Sequence, residues 1–425
     1  MKAICTIQSI TPLMILHALL YFTFLFNTAA TALGDPRYPC EADTIRRAGN
    51  GSATFSAKKE GTSTTLSYDG KITFTDDERD IKSITPGGYF RFSKTTFGNK
   101  REIFIQSGPE GTLRRKYYVG RSEEPYEPEG RQWLQEMLPE IIATTGIGAE
   151  DRIRRIYAKA GLNGVLAQIS KIDNDYARTI YYSRLFALPA LKDQDLKGVL
   201  AHLNRHLDSD HEKSKLLRQV APRYLQNGKN TREYLIAVDG LSSDYEKAKV
   251  LTYVLQTPAM APTSFEIVIP AVGRINSDYE QAKVLKAVLA QGQLSPKAHK
   301  EVIQVARTIS SDYEKNRVLL LLISDPKYVT AHFGELLGSI NTLNSDAEKC
   351  RALCSLVVKQ KLSNQQYLQL FPVVSAVGSS HDKSRTLQKI RATMPDNAEV
   401  RAAYIKAAKT INSEFEYRKV IAGLE

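Results

Sequence analysis

SDYEKAKVL at residues 243–251, SDYEQAKVL at 277–285 and SDYEKNRVL at 311–319 are one phrase written three times, 34 residues apart. Followed outward, the same register holds Asp175, Asp210, Asp244, Asp278, Asp312, Asp346, Ser380 and Glu414, separated once by 35 residues and then by 34. An apolar residue stands three places earlier (Ile172, Leu207, Leu241, Ile275, Ile309, Leu343, Val377, Ile411). Another stands seven places later (Leu217, Leu251, Leu285, Leu319, Leu353, Leu387, Ile421). Ser-x-x-Glu recurs at the openings, as Ser209/Glu212, Ser243/Glu246, Ser277/Glu280, Ser311/Glu314, Ser345/Glu348 and Ser413/Glu416, with Ser379/Asp382 as a shorter form. That spacing predicts a capping box: the Ser hydroxyl accepts the N3 amide, the carboxylate returns to the Ser amide, and the intervening acid suits the positive end of the helix dipole. Ser295-Pro296, Asp325-Pro326 and Ser363 then start a second helix in the same copies, proline being tolerated in a first helical turn. Pro270 and Pro372 fall inside such second helices, where they should kink or shorten them. One helix pair cannot bury its apolar faces, so the copies must stack. The expected fold is mostly α: an α-solenoid of about eight helix-pair repeats over residues 172–425.

Upstream the period changes. Residues 52–120 alternate Thr, Tyr, Phe and Ile with polar residues between Gly and Pro turns, the text of a small antiparallel β domain. Strands are expected at 53–58, 63–67, 71–75, 89–93, 102–106 and 114–119, and Asp69-Gly70 is the strongest hairpin signal. Asp76, Asp77, Glu78 and Asp80 lack the glycine and distal Glu of a calcium loop and read as a solvated acidic turn. Residues 121–130 read as a charged linker, and 131–171 as a helix that docks the two parts followed by an abbreviated first repeat.

At the start, Lys2, an apolar run from Leu13 to Phe26 and Ala30-Thr31-Ala32 have the order of a secretory signal cleaved after Ala32. Residues 33–51 then form a linker, with a glycosylation sequon at Asn50-Gly51-Ser52. The apolar run of 14 residues is short of the about 20 that span a bilayer. Export to a bacterial periplasm is expected, with an uncleaved signal anchoring the chain to the membrane as the alternative. Cys350 and Cys354 sit four apart on one helical face, which suits small buried side chains better than a redox pair.

The charge of +12 lies wholly in the repeats: residues 1–150 hold 18 basic and 18 acidic side chains, residues 151–425 hold 40 and 28. Five places after the reference residues from Asp210 onward stands a cation: Lys215, Lys249, Lys283, Arg317, Arg351, Arg385 and Lys419. Pairing with the Glu three residues before, or with the Asp of the adjoining repeat, would make this row a structural ladder. The functional reading is a basic stripe for a partner protein or peptide, an acidic one by charge complementarity. Tyr245, Tyr279 and Tyr313, beside the caps, are expected to pack between repeats. No polybasic run marks a nucleic-acid binder. His202 and His206 share a helical face with His211 nearby, but the Glu of a zincin helix is missing, so neither a metal nor another cofactor is assigned. No nucleophile elbow or phosphate-binding loop occurs.

The phrases SDYEKAKVL, SDYEQAKVL and SDYEKNRVL resemble a repeat region of uncharacterised exported bacterial proteins. GKITFTDD (70–77), IKSITPGGYF (81–90) and YYVGR (117–121) resemble the β unit that precedes those repeats. The resemblance covers about residues 65–425. In some relatives this region follows a BlaR1-like membrane metallopeptidase, which implies a sensing or docking role outside the membrane; here neither HExxH nor a multi-span region precedes the β unit. The resulting expectation is a non-enzymatic exported scaffold, with a regulatory module of envelope stress and, more weakly, a metal-assisted hydrolase at the His202/His206/His211 cluster as alternatives. The repeats do not carry the Trp-Leu-Gly-Tyr pattern of tetratricopeptide repeats, whose period they share.

Overall fold

The computed structural model describes residues 44–47, 52–225, 231–257, 265–292 and 294–423. The signal expected at 1–32, Cys5, Cys40 and Asn50-Gly51 of the sequon lie outside them. The chain divides into two compact units, one over Met1–Lys71 and Ile84–Gly130, the other over Ile72–Ser83 and Arg131–Glu425.

The first unit is an antiparallel sheet of order β1-β2-β3-β6-β7-β8-β9. Its strands are β1 (Thr44–Arg47), β2 (Ser52–Lys59), β3 (Thr62–Asp69), β6 (Tyr89–Thr96), β7 (Asn99–Ser107), β8 (Leu113–Val119) and β9 (Ser122–Glu124), with β4 (Ile72–Phe74) and β5 (Ile81–Ile84) pairing apart from it. Two strands fall in segments read as linkers: β1 pairs with β2 inside 33–51, and β9 pairs with β8 inside 121–130. Alternation places Leu66, Phe90, Phe92, Ile103, Ile105 and Tyr117 on one buried face.

Asp69-Gly70 is not a hairpin turn within this sheet. Asp69 pairs with Tyr89 across β3 and β6, and Gly70, at φ +87°, turns the chain out of the sheet into the separate β4–β5 pair. A Cβ on Gly88, where the chain returns, would stand 2.4 Å from the Asp69 carbonyl oxygen. The glycine pair therefore marks an insertion point rather than a tight turn.

The second unit is helical, with seventeen α-helices among the described residues. α1 (Arg131–Thr145) buries Trp133, Leu134, Leu138, Ile141 and Ile142, and α2 (Ala149–Ser170) is broken at Gly161, whose φ of 63° and ψ of −164° are not helical. The repeats follow as first helices α3 (Asp175–Phe186), α5 (Asp210–Leu225), α7 (Asp244–Leu255), α9 (Asp278–Leu289), α11 (Asp312–Ile323), α13 (Asp346–Lys359), α15 (Ser380–Arg391) and α17 (Glu414–Ile421). Each begins on the reference residue identified in the sequence. Between them lie the second helices α4 (Leu196–His206), α6 (Thr231–Asp239), α8 (Phe265–Val272), α10 (Pro296–Thr308), α12 (Pro326–Asn341), α14 (Asn364–Ser375) and α16 (Ala398–Ala408). Pro270 and Pro372 stay inside α8 and α14.

First helices pack on first helices and second on second, giving the two layers of an α-solenoid. The apolar rows read from the sequence line the shared core: Leu217, Leu251, Leu285, Leu319, Leu353 and Leu387 are fully buried, as are Leu207 and Ile309. One row was not legible in advance. Four places after every reference residue but Glu414 the side chain is small and buried: Thr179, Ser214, Ala248, Ala282, Asn316, Cys350 and Ser384. Small side chains there let neighbouring first helices approach closely, where bulk would hold them apart.

Candidate interaction surface

The caps of the first helices differ in one half from the predicted boxes. The Ser half is present: Ser209, Ser243, Ser277, Ser311, Ser345, Ser379 and Ser413 each accept the N3 amide through Oγ. The returning carboxylate is absent, and in six of these seven caps the Ser amide already has a partner in the preceding repeat. Ser209 N–H donates to Asp175 Oδ2 at 2.7 Å, Ser243 to Asp210 at 2.6 Å, Ser277 to Asp244 at 2.9 Å, Ser311 to Asp278 at 2.7 Å, Ser345 to Asp312 at 2.6 Å and Ser379 to Asp346 at 2.7 Å. Each Asp thus opens its own helix and clamps the start of the next. Ser363 with Gln366 on α14 forms a complete capping box.

The carboxylate freed from the cap turns to the cation three residues on. Lys215 lies 3.3 Å from Glu212, Lys249 3.5 Å from Glu246, Lys283 3.0 Å from Glu280 and Arg317 3.1 Å from Glu314. Arg351 lies 3.0 Å from Glu348, Arg385 3.9 Å from Asp382 and Lys419 3.1 Å from Glu416. All seven cations of the stripe therefore pair within their own helix, and the Asp of the adjoining repeat is engaged elsewhere. In every pair the acid is the more buried partner and the cation the more exposed, so the surface presents mainly positive charge.

Beside this row runs a second, one place after each reference residue: Tyr176, His211, Tyr245, Tyr279, Tyr313, Ala347, His381 and Phe415. The tyrosines were expected between repeats, yet Tyr245, Tyr279 and Tyr313 are 52%, 55% and 55% exposed. They stand i, i+4 to the cations, on the same outward face. Lys249 lies 5.3 Å from the Tyr245 ring centre, Lys283 of the next repeat 5.5 Å from the same ring, and Arg317 5.6 Å from that of Tyr313, distances at which a cation is attracted to a ring face. His211 and His381 instead reach forward to Glu246 and Glu416 of the following repeat, at 3.3 and 3.4 Å.

A further row, three places after the reference residue, holds Lys213, Lys247, Gln281, Lys315, Lys349 and Lys383, all buried. Lys383 Nζ donates to the Thr410 carbonyl and hydroxyl, both at 2.9 Å, tying α15 to the end of α16. Burial lowers its pKa. These lysines build the stack and leave the outward face to the other row.

The histidine cluster does not converge. Ser170 Oγ donates to the Leu166 carbonyl and lies 2.9 Å from His202 Nε2, while Tyr182 Oη lies 2.7 Å from His202 Nδ1. His202 thus donates from Nε2 and accepts at Nδ1, and both nitrogens are used. Burial, then the neighbouring His206, pushes its pKa down to about 4, so the ring is neutral at pH 7. His206 stacks on it at 4.2 Å, whereas His211 points to Glu246. Among the described residues no group of three or more His, Cys, Asp or Glu side chains is placed to hold a metal ion.

The acidic turn at 76–80 is not simply solvated. Glu78 lies 2.7 Å from Arg152 and 2.6 Å from Arg155, Asp80 lies 2.9 Å from Arg131, and Arg152 also donates to Tyr181 Oη at 2.8 Å. The turn fastens the β4–β5 pair to α1 and α2, with Phe74 against Gly148. Cys350 is buried, Cys354 half-buried, and both are free thiols; burial pushes the Cys350 pKa up to about 11.

No family model, curated protein or solved structure matches this chain.

Proposed function

We propose that this protein is a non-enzymatic exported scaffold whose first-helix face binds an extended acidic segment of a partner protein. The observation that carries the reading is the pair of parallel rows: exposed Tyr245, Tyr279 and Tyr313 beside cations that recur in seven successive repeats. Stability alone does not demand them. An exposed i, i+3 pair contributes only about 0.3–0.5 kcal/mol, and a half-exposed tyrosine buries little area. The N-terminal signal and the likeness to exported bacterial repeat proteins support a place outside the cytoplasm.

Neighbouring helix axes lie about 8–10 Å apart and an extended chain advances about 3.3 Å per residue. A carboxylate at every third residue would meet one cation per repeat. The ring faces would cover the intervening backbone. The paired glutamates argue for such a sparse anion over the dense phosphates of a nucleic acid.

The test uses the full chain and fluorescein-labelled extended peptides carrying Glu at every third position, with Gln versions as controls, read by anisotropy. The Glu peptide should bind, weaken with salt, and lose affinity at least tenfold in Arg317→Glu/Arg351→Glu and in Tyr279→Ala/Tyr313→Ala, with unchanged circular dichroism. Equal binding of the Gln peptide would sink the reading. So would tighter binding of a single-stranded oligonucleotide lost in the same variants, which would move the face to nucleic acid.

A further inference from the structure

One position on the first-helix face differs in every repeat. Eight places after the reference residue the repeats carry Arg218, Thr252, Lys286, Leu320, Cys354 and Gln388. Lys286 makes no ion pair among the described residues, although it is partly buried. Burial, then the adjacent Arg317 and Lys283, lower its pKa, with Glu314 opposing them. It is a cation held among cations, short of an acid.

Beside it a cavity of about 180 Å³ opens where α9 and α11 end, walled by Leu289, Leu294, Leu321 and Leu322 together with Lys286 and His299. Leu321 on its rim is 43% exposed and leaves apolar surface at the mouth of the cavity. The acid in the cavity wall, Asp325, is already engaged: its Oδ1 caps α12 by accepting the Lys327 and Tyr328 amides at 2.9 and 3.3 Å. His299 is held toward its neutral form by burial, against the pull of Asp325.

An apolar cavity with a rim leucine and an uncompensated cation has the chemistry of an anchor pocket, the feature that concentrates binding energy in peptide recognition. We propose that the cavity between α9 and α11 takes one large apolar side chain of the acidic partner, with a neighbouring carboxylate on Lys286. The proposal rests on the first-helix reading and sharpens it: the partner would carry a Leu- or Phe-sized residue beside an acid, at one point of an otherwise sparsely acidic segment. Lys283 and Arg317, which flank the same point, would hold the next carboxylates.

The experiment compares two labelled peptides, Glu at every third position with a central Phe, and the same peptide with Ala in its place. Wild-type protein should bind the Phe peptide roughly tenfold tighter or more, as burial of one such side chain allows. Ala290→Trp, at an exposed rim position, should plug the cavity, erase that difference and leave the Ala peptide's affinity unchanged. Lys286→Glu should weaken both peptides. Equal binding of the two peptides to wild type overturns the anchor while the stripe survives; binding of neither, by folded protein, overturns both. A Phe advantage that persists in Ala290→Trp, confirmed by a second plug at Leu321→Trp, places the apolar contact elsewhere and also overturns the anchor.

Discussion

Asp312 shows how much one side chain can carry in a stacked repeat. It begins α11, and its Oδ2 accepts the amides of Asn344 at 2.8 Å and Ser345 at 2.6 Å, two groups that would otherwise be the unpaired start of α13. Hydrogen bonds to a charged acceptor are worth about 1.5–3 kcal/mol each, but Asn344 is exposed and water can replace part of the loss. Asp312→Ala should therefore destabilise by about 2 kcal/mol, more than the about 1 kcal/mol of Ser345→Ala, which removes only a cap. The repeat headed by Ser380 provides the converse case. Its neighbour Ser413 caps α17 through Oγ, yet serine is too short to reach across as the aspartates do, and no bond from the Ser413 amide to Ser380 is formed among the described residues. Ser380→Asp should supply the missing clamp, raise the urea midpoint and slow amide exchange at residues 412–416. A destabilised Ser380→Asp would show that the clamp is incidental to stacking.

At the scale of elements, the row of small residues decides how closely two first helices can lie, and Cys350 is its most informative member. It occupies the place held by Asn316 one repeat earlier and Ser384 one repeat later, all buried. Cys350→Ala should change stability little, whereas Cys350→Leu adds bulk to a filled contact and should cost about 1–3 kcal/mol. With a pKa of about 11 the thiol is almost wholly protonated at pH 7, so in native protein a thiol reagent should modify it only as fast as the stack opens. Rapid native labelling of Cys350 would mean that the α13 contacts are loose. The first helices themselves were legible because Ser, Asp and Leu recur at fixed places, and each predicted start coincides with an observed one. What the sequence could not show was where a carboxylate would go once two amides competed for it. The Glu was assigned to the Ser amide by local spacing, but the Asp of the preceding repeat holds that amide, a choice only stacking reveals. Exposure of Tyr245, Tyr279 and Tyr313 was hidden for the same reason, since an aromatic beside a cap reads equally as core or surface until the neighbour is in place. Lys286 and its cavity gave no signal at all, because a position that differs from repeat to repeat carries no pattern to read.

For the molecule as a whole, the boundary between sheet and helices was drawn once in the sequence and is crossed three times by the chain, at Lys71, Ser83 and Gly130. The Asp69-Gly70 signal was read as a hairpin because local turn chemistry cannot distinguish a chain that folds back from one that leaves the sheet. The acidic residues of the inserted segment looked solvated because their partners, Arg131, Arg152 and Arg155, lie some fifty to eighty residues on. In the repeats the opposite holds: nearly every stabilising contact is with the next unit, so stability should behave as a sum of repeat and nearest-neighbour terms. Leu285 tests this, being fully buried at the centre of α9, which contacts α7 and α11. Leu285→Ala should cost about 2–5 kcal/mol. In a one-dimensional stack that loss cannot be shared evenly: amide exchange should accelerate in α7, α9 and α11, while α3 and α15, several interfaces away, keep most of their protection. A uniform loss along α3–α17 would show instead that the array unfolds as one cooperative block, and the anchor between α9 and α11 could then report binding to every repeat rather than to its neighbours alone.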